Sequence, residues 1–231
     1  MLWAALVALL SVTANAQDTS GPTAELPDSR TLAVQDKVDE LFESGKFERA
    51  YFIYRNELAP VGDKYAQYMV GYMHLMGMGV EEDEVEASSW YRLAAERGYP
   101  QFVAVRKQVL ESLDNEELEQ SDQRYLDLRK RFSDVALMMS LLHRDVDELT
   151  SRVTGSRLSG RGGAVTIVNP RSGVGLSGDS YFREIEIRMR QRLDYVTKTL
   201  GIDPLTPDLD NRALRDLQER VDRYLLVVND R

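Results

Sequence analysis

Four side chains in one short stretch have types and spacing that could do chemistry. Met69, Tyr72, Met73 and Met76 recur at steps of 3, 1 and 3, so in a helix they share one face. Flexible thioethers beside a tyrosine suit a groove that adapts to a protein or peptide partner. The plainer use of such a face is packing beneath flanking helices. A second chemistry is open to the same residues. Met69, Met73, Met76 and Met78, with His74 among them, are soft and borderline donors, which makes copper binding the alternative function.

Other constellations are weaker. Gly173-x-Gly175-x-x-Gly178 has the skeleton of a dinucleotide fingerprint. However, Asn169 to Ser172 separates it from the possible strand Ala164 to Val168, and no second strand with a ribose-binding acid follows. No partner strand is evident for 164–168 either. His143-Arg144-Asp145 echoes a kinase catalytic loop in three letters only, inside an amphipathic helix. Glu81 to Glu86 and Asp114 to Asp122 are acid-rich but lack the alternation of a calcium loop, and read as solvated helix starts. With no nucleophile elbow and no cysteine, nothing assembles into an active site, so the expectation is no enzyme, no cofactor and no resident metal.

The elements that must position these residues are helical. Val34, Val38, Leu41 and Phe42 form one apolar stripe, ended by Gly45-Lys46; Phe47, Ala50, Tyr51, Tyr54 and Leu58 form the next, ended by Pro60 and Gly62. A third helix runs from Asp63 to Leu75, a Gly77-Met78-Gly79 loop follows, and a fourth runs from Asp83 to Glu96 before Gly98. Pro100 opens a fifth. Helical periodicity then continues to Leu149. Phe182 to Leu200 and Leu214 to Val228 predict two C-terminal helices with heptad-like stripes.

The stretch Ala66 to Gly98 carries a specific pattern: Ala66, Tyr68, Gly71, Gly77, Gly79, Val80, Asp83, Ala87, Trp90, Tyr91, Ala94, Ala95 and Gly98. It resembles the Sel-one-like repeat (SLR), a relative of the tetratricopeptide repeat. Small residues let two helices approach closely, the loop glycines permit positive φ, and Trp90 and Tyr91 bring large buried area. Val70 and His74 depart from the pattern, His74 standing where the family usually has tyrosine. Leu41 to Gly62 and Pro100 to Leu113 resemble partial repeats on either side, which brings the array to the roughly three units such stacks need. The resemblance implies a scaffold or adaptor that binds a protein or peptide on its helical face.

Bulk properties narrow the partners. A formal net charge of −9 repels nucleic-acid phosphates and anionic lipid. Leu2 to Val12 is apolar, shorter than the ~20 residues of a membrane span, and Ala14-Asn15-Ala16 precedes Gln17 as an export signal cut after Ala16. The expectation is therefore an all-α protein: a signal peptide at 1–16, a flexible leader at 17–31, a short α-solenoid of helix-turn-helix repeats at 32–150, a Gly/Arg-rich linker at 151–178, and a helical hairpin at 179–231 that could self-associate. Its expected place is the periplasm, with no membrane span in the mature chain.

Overall fold

The computed structural model describes residues 29–153, 166–168, 175–206, 209 and 211–228. The expected export signal, most of the expected leader, Gly173 and three arginines of the expected linker (Arg157, Arg161 and Arg171) lie outside the described residues. The fold is all-α, a helical repeat array followed by further helices.

Helix α1 spans Ser29–Glu43, taking in the end of the expected leader, and buries Val38 and Leu41. After the Gly45 turn, α2 (Phe47–Ile53) buries Ala50 and Ile53. It does not run regularly to Pro60. Tyr54–Leu58 widens into a π-helical turn in which the Ala59 N–H reaches back to the Tyr54 carbonyl, and Ala59–Val61 then tightens into a 3₁₀ turn. Pro60 has no N–H, and its ring crowds the preceding turn, which explains the departure from α geometry.

Helix α3 (Lys64–Met76) starts on the Asp63 side chain, which accepts from Ala66 N at 3.0 Å. Helix α4 (Glu84–Ala94) starts the same way on Asp83, which accepts from Glu86 N at 2.8 Å. Helix α5 (Pro100–Ser112) has proline in its first turn. Helix α6 (Asn115–Phe132) opens with a reciprocal capping box between Asp114 and Glu117. Helix α7 is Asp134–Val153, α8 is Gly178–Leu200 and α9 is Asn211–Leu225.

The expectation that no strand pairs with 164–168 is corrected. Strand β1 (Thr166–Val168) pairs antiparallel with β2 (Gly175–Ser177), with Ile167 opposite Leu176. The second strand is glycine-led and three residues long, so no alternating pattern marks it. Gly175 therefore sits in an antiparallel strand pair and Gly178 is the first residue of α8.

The chain divides into two compact units, with the breaks after Leu137, inside α7, and before Leu225. In the first unit α4 lies at the centre and packs on α3, α5 and α6. The second unit holds the rest of α7, the strand pair, α8 and α9. Its α7 segment is tied to both C-terminal helices: Asp145 pairs with Arg192 of α8, and His143 Nε2 meets Gln218 Oε1 of α9 at 3.0 Å.

Candidate functional site

The α3–α4 hairpin is held by small residues at its crossing. A Cβ on Gly71 would sit 3.1 Å from the Ala87 carbonyl oxygen and 3.1 Å from the Tyr91 ring. Ala66, Ala87, Ala94 and Ala95 are buried beside it. Trp90 stacks on Phe132 of α6 at 5.7 Å and donates from Nε1 to Glu86 at 2.9 Å, with the Arg55 guanidinium 5.5 Å from its ring centre. Gly77 closes α3 in the left-handed conformation, and Gly79, also left-handed, presses against the backbone of Phe47 and Glu48. Gly98 takes the same conformation at the end of the α4 segment.

The expected partner face is corrected. Met69, Tyr72 and Met73 are 2%, 4% and 0% exposed, and Met76 is half-buried against the same core. The face is covered by the chain itself: Val38, Leu41, Ala50 and Ile53 of the first hairpin belong to the core that takes these residues in, and Phe42 lies 6.3 Å from the Tyr72 ring. Each buried methionine contributes about 2 kcal/mol of apolar burial. Of the donors considered for a soft metal, Met69, Met73 and His74 are buried, while Met76 and Met78 are half-buried. Met69 and Met73 are core, and His74 Nε2 shares a 3.0 Å hydrogen bond with the Tyr51 hydroxyl. No group of three or more His, Cys, Asp or Glu suited to a metal occurs among the described residues.

What α3 does present outward is Tyr65, 43% exposed. Its ring lies over Tyr68 at 6.5 Å, and Tyr68 stacks on Phe102 of α5 at 5.2 Å, with Tyr99 edge-on to Phe102. Burial pushes the Tyr65 hydroxyl up to about 12, and the charges of Asp39, Asp63 and Glu43 add to that. The acids of α1 form a rim. Asp36, Asp39, Glu40 and Glu43 are exposed at helical spacing on α1. Asp39 accepts from the Tyr54 hydroxyl at 2.9 Å, yet its carboxyl is held above the ordinary range by partial burial and by Glu43, Asp36 and Asp63.

Sequence reasoning missed a buried ionic cluster at the base of α3. Lys64, with no exposed surface, reaches Glu96 at 2.8 Å and Asp134 at 3.3 Å. Arg97 binds Asp134 at 2.7 Å through Nε and donates to the Gly62 carbonyl at 2.8 Å. These charges lie far apart in sequence, and each reads there as an ordinary solvated residue.

A family model, the Sel1 repeat, matches residues 64–99. This chain carries a Sel1 repeat. The match begins at Lys64, the first residue of α3, and ends at Tyr99, the cap of α5, so it coincides with the hairpin just described. Sel1 repeats generally serve as protein–protein interaction modules, and the family is typically a non-catalytic scaffold. No curated protein and no solved structure matches the chain. No helix among the described residues is long and apolar enough to cross a membrane.

Proposed function

We propose that the chain is an exported, non-enzymatic adaptor or scaffold that holds a protein or peptide segment against Tyr65 and the acidic rim of α1. The observation that carries this reading is the exposed Tyr65 ring backed by the Tyr68–Phe102 stack. An aromatic held from behind offers area at little entropic cost. The rim sets the partner's chemistry: a segment bearing Lys or Arg beside a flat apolar side chain meets carboxylates and a ring face together. Export follows from the apolar Leu2 to Val12 run and the Ala14-Asn15-Ala16 cut, and in a two-membrane cell the compartment is the periplasm.

The test places a photo-crosslinking side chain at Tyr65 or, as control, at exposed Lys107 of α5, in the cell envelope. A protein captured at Tyr65 and not at Lys107 is identified, purified and titrated against the parent chain and Tyr65→Ala. The expected loss of affinity is about tenfold, with weaker binding in added salt. Equal capture at both positions, or equal affinity for both chains, would remove Tyr65 from the function.

A further inference from the structure

His74 occupies an unusual position for a titratable group. It lies in the last turn of α3 with 8% of its surface exposed. Its ring is edge-on to Tyr51 of α2 at 5.4 Å, and Nε2 shares a 3.0 Å hydrogen bond with the Tyr51 hydroxyl. Its backbone carbonyl accepts from Asp83 N at 3.0 Å, which closes the loop over residues 77–83. The same loop touches α2 a second time. Gly79 comes so close to Phe47 that an added Cβ would sit 2.4 Å from the Phe47 carbonyl carbon. One residue thus joins the end of α3, the repeat loop and the preceding hairpin: its ring meets Tyr51 and its backbone carbonyl holds the loop.

We propose that the Tyr51–His74 hydrogen bond is an acid-sensitive latch that holds the 77–83 loop against α2. In the tautomer with its proton on Nδ1, on a ring that faces the Glu81 backbone, Nε2 accepts from Tyr51. Protonation turns Nε2 into a donor, so the Tyr51 hydroxyl must reverse and its own proton loses its acceptor. The new charge is also buried. The groups facing the ring come from each neighbouring element: Tyr51 from α2, Arg55 from the π-helical turn, the Glu81 backbone from the loop, Asp83 from the cap and Glu86 from α4. Asp83 and Glu86 would welcome a cation, but Arg124 of α6 already binds both, at 2.5 and 3.4 Å, and Arg55 opposes them. Burial therefore dominates and holds the imidazole below its ordinary 6.5. A neutral native ring and a proton-binding open state mean that the latch weakens as pH falls below 6.5, and is intact above it.

The full chain has two histidines, so imidazole proton resonances assign by comparison with His143→Gln. The expected result is that His74 titrates below 6.5. Hydrogen exchange at amides 77–83, corrected for intrinsic rates, should then rise by up to about tenfold per pH unit below that value. In His74→Gln the pH dependence of that exchange should vanish. If circular dichroism shows His74→Gln unfolded, Tyr51→Phe takes its place. Losing the hydroxyl that favours neutral Nε2 should move the His74 titration upward and raise loop exchange already at neutral pH. Titration of His74 at or above 6.5, or loop exchange that keeps its pH dependence in His74→Gln, or a Tyr51→Phe chain indistinguishable from the parent, would each overturn the latch.

Discussion

Gly45 and Gly79 adopt the same backbone conformation, φ +72°, for different reasons. A Cβ at Gly45 would meet nothing within 4 Å, whereas one at Gly79 would meet the Phe47 and Glu48 backbone at 2.4 to 2.6 Å. The pair separates conformational strain from close approach. Gly45→Ala should lose about 1 kcal/mol, the cost of a left-handed alanine. Gly79→Ala should lose that plus about 2 kcal/mol of forced displacement, because backbone rather than a flexible side-chain end blocks the way. Urea denaturation of both variants checks this, and equal losses would mean that the loop yields freely. The glycine pattern was readable in the sequence as a loop. That Gly79 is also the docking point on the preceding helix was not, because nothing local to Gly77-Met78-Gly79 names Phe47 as its neighbour.

At the scale of elements, helices with a clear apolar period were legible: α3 and α4 follow from stripe, cap residue and closing glycine together. The π-helical turn over Tyr54–Leu58 was not, since Pro60 signals an ending without saying how the preceding carbonyls will be shared. The methionine face was legible as a face, with packing beneath flanking helices as its plainer use; which helices cover it was not, because α1 and α2 arrive from elsewhere in the chain. The ionic cluster at Lys64 fails the same way, and it carries a pH signature. Burial alone would raise the Asp134 carboxyl, but the Lys64 charge and the Arg97 hydrogen bonds and charge outweigh that and hold it below its ordinary 3.8. The native state thus binds its proton less readily than the unfolded chain. Its stabilisation is present above the unfolded value of 3.8 and is lost as pH falls through the native one. Asp134→Asn leaves Lys64 short of a counter-charge where no water reaches, and should cost about 3 kcal/mol at neutral pH. Measured by denaturation from pH 7 downward, the gap between parent and variant should narrow below pH 3.8. A gap constant with pH would assign the loss to packing instead.

For the whole molecule, the division into two compact units falls inside α7, so that buried Val135 belongs to the first unit while Met138, Met139, Leu142 and Val146 are buried in the second. Each unit has its own buried charge pairing: Lys64 with Asp134 in the first, Asp145 with Arg192 in the second, both at 2% exposure or less. Tryptophan separates their responses, since Trp90 is the one tryptophan among the described residues and lies in the first unit. In a Trp3→Phe chain its emission follows the first unit alone, while circular dichroism follows both. Arg192→Ala leaves Asp145 with only the longer contact to Arg188, at 3.5 Å, and should destabilise the second unit by about 3 kcal/mol. If the units unfold separately, the dichroism transition should begin at lower urea while the Trp90 midpoint stays in place. A Trp90 midpoint that moves with the dichroism would show α7 transmitting the loss across the break, making the two units one cooperative structure.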